Sequence, residues 1–257
     1  MQFWTYLHFI TYIPSLLFMI VCAGILRKLL LKRDEKIRLI PIQILAVLLV
    51  LIEIGKQALS IKKGYDLYHL PFHFCSMFIF FIPLSAFCRG KLKRFLLSFT
   101  TYISSTLFLF MLVCPAYTYS ETRIANFFSD YFSFHTVIFH DIAIFVFLLI
   151  VALDIYQPDT KFDLKSAFIS LAVFCLIGAV MSQIFETNYN NFYSCSAEVV
   201  DNVRLAMIDS LGYAAGQTIY VLGVSAVNLL FSCASYFIYR LLCGLLGAFK
   251  HKNRTLY

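Results

Sequence analysis

The chain has 257 residues, of which 61% are hydrophobic and only 14% charged, and its mean hydropathy is +0.80. That composition excludes an ordinary soluble domain. The formal charge of +7 would suggest nucleic acid in a polar chain, but here the basic residues sit in short stretches between apolar runs. They read as a topology signal, and no nucleic-acid partner is expected.

Seven apolar stretches approach or exceed the roughly 20 residues that a helix needs to cross a bilayer. They lie at about 5–26, 39–60, 70–88, 95–114, 133–153, 164–186 and 215–240. The first lacks a basic leader and is too long for a signal-peptide core, so it reads as a span. The expected fold is an all-α polytopic membrane helical bundle of about seven transmembrane helices, forming one integral membrane domain over residues 1–257. Sixteen Lys and Arg residues fall between spans one and two, three and four, five and six, and from the end of the last span onward; only four fall on the other side. The positive-inside rule then puts the N-terminus outside and the C-terminus in the cytoplasm. Trp4, Tyr6, Tyr65, Tyr68, Tyr117, Tyr119, Tyr131, Tyr189 and Tyr193 fall near the outer boundary, as an interfacial aromatic belt would. Residues 199–211 place Val199, Val203, Met207 and Leu211 on one side of a short amphipathic helix that would lie on the outer surface.

Eight cysteines are present, most of them inside apolar stretches and none in a C-x-x-C pair. A disulfide framework is not expected; Cys114 with Cys195 is the single pairing that the topology would allow.

The run Tyr68-His69-Leu70-Pro71-Phe72-His73-Phe74-Cys75-Ser76 opens the third stretch. Ionisable groups at membrane depth are costly and therefore functional candidates. Pro71 suits a helix start, so the third helix is expected to begin near Leu70, with His73 and Cys75 in its first two turns. In that helix His69, His73 and Ser76 would share a face. His140 lies about two turns into the fifth stretch, with Asp141 beside it. Glu53 and Lys56 stand at i and i+3 near the outer end of the second, and Glu186, Asn188 and Tyr189 close the sixth. These groups come from four spans yet map to one leaflet. A bundle that needed only polar glue would have no reason to collect it at one end.

The chemistry on offer is acid–base and nucleophilic. Cys75 becomes a nucleophile where a helix N-terminus or an imidazole favours its thiolate, and His140 is a better-directed base than His73, which points the other way from the thiol in a helix. Each residue also has a plain structural reading: Cys75 as apolar filler, His73 as a cap, Glu53–Lys56 as a structural pair, His69 and His135 at the headgroup level without a role. A metal site built from His73, His140 and Asp141, with His69 as a further ligand, is the sharper rival, although no short-range ligand motif supports it; no cofactor is expected.

Pro71-Phe72-His73-Phe74-Cys75, together with His140 inside the fifth span and Asn188-Tyr189 closing the sixth, resembles the signature of YwaF-like bacterial integral membrane proteins. That group is similar to the eukaryotic transmembrane protein 164 family, which is implicated in acyl transfer onto lysophospholipids through a cysteine nucleophile. In the eukaryotic branch the cysteine directly precedes the histidine, as Pro-Cys-His; here that slot is Phe72, so the histidines carry over more directly than the thiol. The resemblance implies a membrane-embedded acyltransferase of the bacterial plasma membrane, moving acyl chains between phospholipid and lysophospholipid at the outer-leaflet interface. Cys75 would form an acyl-enzyme, with His140 and His73 as its acid–base partners. Asn188 would donate to the oxyanion, and Tyr189, Asp141 and Ser76 would contact substrate. Two alternatives stand: a histidine-dependent lipid hydrolase, with or without metal, and a non-enzymatic transporter or lipid-binding protein, which a polar route past Asn228 would favour.

Overall fold

A computed structural model describes residues 4–195 and 197–254. Among these residues every regular element is helical. Helices α1 (Tyr6–Ile10) and α2 (Tyr12–Leu30) form one pass broken at Thr11, whose φ of −119° interrupts the helix just ahead of Pro14. The next pass is α3 (Glu35–Lys62). A short α4 (Met77–Phe87) follows, then α5 (Gly90–Val113), the one-turn helix α6 (Glu121–Ala125), α7 (Tyr131–Ala152), α8 (Thr160–Ile184), α9 (Glu198–Leu211) and α10 (Tyr213–Arg254). Six of these passes are long and apolar enough to cross a membrane, counting α1 and α2 together. The seventh, α4, is shorter.

Helices α5 and α7 are central: 72% and 61% of their apolar windows are buried, against 17% to 28% for the other long helices. The outer helices turn Phe18, Leu29, Leu176, Leu222 and Leu230 outward, as lipid-facing surfaces do. Between apolar helices in lipid, close packing and hydrogen bonds carry the association. Accordingly α5 buries Ser98, Thr100, Thr101, Ser104, Ser105 and Thr106, small groups that let its neighbours approach. Gly55 of α3 lies where a side chain would meet the Tyr131 hydroxyl at 2.2 Å, so α3 and α7 touch there through glycine.

The basic end of the bundle is held together by the residues that the charge count singles out. Arg27 donates to Ala152 O at 2.5 Å, and Arg38 to Leu153 O at 2.7 Å and Asp154 O at 3.1 Å, so two guanidinium groups satisfy the last carbonyls of α7. Lys93 pairs with Glu35 at 2.5 Å and Arg94 with Asp159 at 2.7 Å. Asp163, fully buried, accepts from Ser98 and Tyr236 at 2.6 Å each, from the Asp159 N–H at 2.9 Å and from Tyr156.

Two expectations need correction. The third pass does not begin as a helix at Leu70. Pro71 holds Leu70 in extended backbone (φ −62°, ψ 147°), His73 is also extended (φ −76°, ψ 152°), and regular helix begins only at Met77 after 3₁₀ turns at Leu67–His69 and Phe74–Ser76. His69, His73 and Ser76 therefore do not share a helix face. The described cysteines Cys114 and Cys195 are free, so that pairing does not form. The surface helix does form, as α9, and Gly212 (φ +78°) turns the chain directly into α10; there Gly216 passes so close that a side chain would meet the Ile208 backbone at 2.6 Å.

Candidate functional site

At the end of the bundle opposite the Asp163 cluster, the irregular leg between α3 and α4 is fixed by side chains from elsewhere. Gln57 donates to His69 O at 3.0 Å, Ser60 bonds His69 Nδ1 at 2.6 Å, and Tyr189 donates to Leu67 O at 2.5 Å. Asn190 grips the leg on both sides of His73: its Nδ2 donates to Phe72 O at 2.7 Å, and its Oδ1 accepts the Phe74 N–H. Asn190 and Asn191 adopt positive φ (54° and 60°), a conformation that asparagine tolerates better than most residues. A non-helical leg lacks the internal hydrogen bonds of a helix, and these contacts satisfy four of its backbone groups: Leu67 O, His69 O, Phe72 O and the Phe74 N–H.

His73 Nε2 lies 3.0 Å from Tyr68 O. A carbonyl only accepts, so Nε2 carries the proton and Nδ1 is the basic nitrogen of the neutral ring. The ring packs edge-on to Tyr68 at 4.4 Å and to Tyr189 at 5.2 Å between centroids. Burial holds the His69 imidazole below its usual pKa. Burial likewise raises the Tyr68 and Tyr117 phenols, the nearby Cys75 adding to both.

His140, buried within α7, has the complementary arrangement. Its Nδ1 donates to Thr136 O at 2.6 Å, which leaves Nε2 as the basic nitrogen. Two imidazoles thus each anchor one nitrogen on a backbone carbonyl and keep the other able to accept a proton.

The cavities around these groups interlock. One of about 420 Å³ is lined by His73, Cys75, His140 and Asn188, with Asn228 and Ser232 of α10. A second, of about 270 Å³, is polar and is lined by Glu53, Lys56, Arg123 and His135. Both contain Tyr68, His73, Cys75, Tyr117 and His140, which form the wall between them. A third, of about 440 Å³ and almost wholly apolar, runs between α8 and α10 and meets the first at Phe74, Asn190 and Asn228.

The structure therefore brings His73, Cys75, His140 and Asn188 to one cavity, and Ser76 to the polar one beside it. Asn188 Oδ1 accepts from the Ser194 N–H at 3.4 Å. Tyr189 stands behind the leg, fully buried, and supports it. Asp141 lies apart: its carboxylate accepts from Tyr119 at 2.6 and 2.8 Å and from Ser15 at 2.9 Å, and it lines none of these three cavities. Adjacent helical residues diverge by about 100°, so the His140–Asp141 adjacency does not place them together. A metal set of His73, His140 and Asp141 does not assemble, and among the described residues no three His, Cys, Asp or Glu side chains converge as one. Among the described residues the Cys75 thiol makes no hydrogen bond to an imidazole.

Three features were missed from sequence. His135 is not a headgroup-level residue without a role: it is buried and lies 2.8 Å from Glu53, which also holds Lys56 at 2.6 Å and Gln57 at 2.7 Å. Arg123 comes to the same cavity from α6. The Asn190 clamp spans more than a hundred residues of chain, and the only local sign of it is the asparagine-rich run that tolerates positive φ.

The family model described as TMEM164 family matches residues 3–239. No curated protein and no solved structure matches the chain.

Proposed function

Because this chain belongs to the TMEM164 family, a multi-pass membrane family, we propose that it is a membrane acyltransferase that moves fatty acyl chains between phospholipid and lysophospholipid. We place it in the bacterial plasma membrane, with the site at the outer leaflet. The observation that carries this reading is the shared wall: one thiol and two imidazoles stand between a polar cavity and a mixed one, and the mixed cavity continues past Phe74 and Asn190 into an apolar groove. A phospholipid ester has the same three parts, a polar head, a carbonyl and a chain.

The steps follow from the groups present. The Cys75 thiol gives its proton to an imidazole, for which His140 Nε2 is the basic nitrogen. The sulfur attacks the ester carbonyl, and an N–H of Asn188 stabilises the oxyanion. The ester C–O bond breaks, the imidazolium returns its proton to the departing lysolipid oxygen, and a thioester remains. The acceptor hydroxyl then attacks the thioester with the same imidazole as base, which restores the thiol. His73, held to Tyr68 O, keeps a second basic nitrogen on the wall.

The test is acyl transfer by purified protein in lipid nanodiscs, with labelled donor phospholipid and unlabelled lysophospholipid. Cys75→Ala is expected to abolish transfer while the protein remains folded. Unchanged transfer would remove Cys75 from the mechanism. A second reading, a histidine-dependent lipid hydrolase, is favoured by one observation: the thiol is not hydrogen-bonded to an imidazole. That reading predicts labelled free fatty acid, retained in Cys75→Ala and lost in His140→Ala.

A further inference from the structure

The polar cavity contains more charge than acyl transfer at a thiol requires. Lys56 lies in α3 and Arg123 in α6, and both line it. Against them stands a single carboxylate, Glu53, which is already held by Lys56 at 2.6 Å, His135 at 2.8 Å and Gln57 at 2.7 Å. With neutral imidazoles the lining therefore has a net positive charge. Arg123 is the unspent group. Arg94 and Arg204 pair with Asp159 and Asp201, whereas among the described residues Arg123 has no carboxylate partner and donates only to the Tyr117 carbonyl. A guanidinium with most of its donors open, facing a cavity that also contains an ammonium, is suited to a tetrahedral oxyanion.

The size and position of the cavity narrow the ligand. At about 270 Å³ it falls below the usual range for a whole small ligand, roughly 300–1,000 Å³, so it fits a headgroup fragment rather than a lipid. The Tyr68, His73, Cys75, Tyr117 and His140 wall separates it from the cavity that continues into the apolar groove. An ester carbonyl placed at the wall would have its chain on one side and its phosphate on the other.

We propose that Lys56 and Arg123 form the phosphate subsite for a glycerophospholipid substrate. The proposal rests on the acyl-transfer reading for its lipid, but its test does not depend on turnover. Binding of a fluorescent lysophospholipid, and of a monoacylglycerol with the same chain, is measured on full-length Cys75→Ala protein in nanodiscs of neutral lipid. The lysophospholipid is expected to bind about tenfold or more tightly than the monoacylglycerol, since charge-assisted hydrogen bonds to phosphate carry the difference. Arg123→Gln is expected to abolish most of that preference and leave monoacylglycerol binding unchanged; Arg123→Lys restores part of it. Lys56→Gln alone would take from the buried Glu53 its lysine cation and leave only His135 and Gln57, so the double variant Glu53→Gln with Lys56→Gln serves as the second probe, and it too should reduce the preference. Lys62→Gln, an exposed cation at the same end of α3, should change nothing.

Equal affinity for the two lipids, or a preference that survives Arg123→Gln and the double variant, would overturn the subsite. Inorganic phosphate separates the sources of the anion: weak competition at millimolar concentration supports a lipid-borne phosphate, and binding as tight as that of the lysophospholipid refutes it. Phosphate-dependent binding without acyl transfer in the wild type would leave the subsite standing and sink the transferase reading. Transfer with an unchanged KM in Arg123→Gln would do the reverse.

Discussion

Replacing Asn190 tests whether His73 is held in place by a side chain from the far end of the chain. Asn190→Ala removes two hydrogen bonds, to Phe72 O at 2.7 Å and from the Phe74 N–H, each worth about 1 kcal/mol net. It also puts alanine at φ +54°, which costs roughly 1–2 kcal/mol for a residue with no polar side chain to compensate. The expected loss is about 3 kcal/mol, more than a hundredfold in the folded-to-unfolded ratio. Asn190→Asp separates the parts: it keeps the left-handed conformation and the acceptor for Phe74, loses the donor to Phe72, and sets an anion against that carbonyl, for about 1–3 kcal/mol. Denaturant titration in detergent reads the stability. Lipid transfer in nanodiscs reads the position of His73, and both variants should be slowed well beyond what their folded fraction explains. Stability of Asn190→Ala within about 0.5 kcal/mol of wild type, the ordinary range for an uninvolved site, would show that the clamp holds nothing. Lost stability with an unchanged transfer rate per folded molecule would show that it positions nothing.

Other outcomes follow from contacts elsewhere. Gly55→Ala forces a methyl against the Tyr131 hydroxyl, which already donates to Ile52 O at 2.9 Å, and should destabilise by about 1–3 kcal/mol; Tyr131→Phe should relieve part of it in a double-mutant cycle, and simple additivity would refute the contact. Asp163→Leu removes the carboxylate acceptor of the buried Tyr156 and Tyr236 hydroxyls and leaves Ser98 only Ser166, and should cost about 3 kcal/mol or more by the same titration, while a loss below about 1 kcal/mol would mean that the cluster does not tie α5, α8 and α10 together. The pH dependence has a definite sign. His69 titrates below its ordinary value of about 6.5 when folded, because it is partly buried, so the unfolded chain binds more protons on acidification. Its contribution is constant above about pH 7, weakens as pH falls through about 6.5, and levels off below the folded value. His69→Gln should flatten part of that slope between about pH 8 and 5, and an unchanged slope would contradict the partial burial of the ring.

Much of the fold was readable from the chain because lipid leaves few alternatives. Apolar runs of spanning length can only become helices, and the basic residues between them mark one end. What could not be read is local to the candidate site. Residues 70–88 have the hydropathy of a span whether or not they are helical, and hydropathy does not register that Pro71 forces Leu70 out of helix. The collection of polar groups at one end was visible, and so was the i, i+3 pair of Glu53 and Lys56. The direction of each side chain was not: Asp141 follows His140 in sequence but faces Tyr119 and Ser15. Asn190 bonds a leg more than a hundred residues away, and Arg123 lines a cavity with side chains of α3 and α7; no short-range pattern encodes either.

The brevity of α4 bears on the membrane itself. Its 11 residues rise only about 16 Å, roughly half of a hydrocarbon core about 30 Å thick. The chain ahead of it is a folded leg, four of whose peptide groups are held by Gln57, Tyr189 and Asn190. In a bilayer that flank would be a notch rather than a column, which neighbouring lipids would meet by tilting or the leaflet by thinning. Pulling an acyl chain out into water costs about 0.8 kcal/mol for every methylene. For the acyl transfer proposed above, a notch at carbonyl depth would avoid that cost, because the ester could move sideways into the wall of the site while its tail stays in oil.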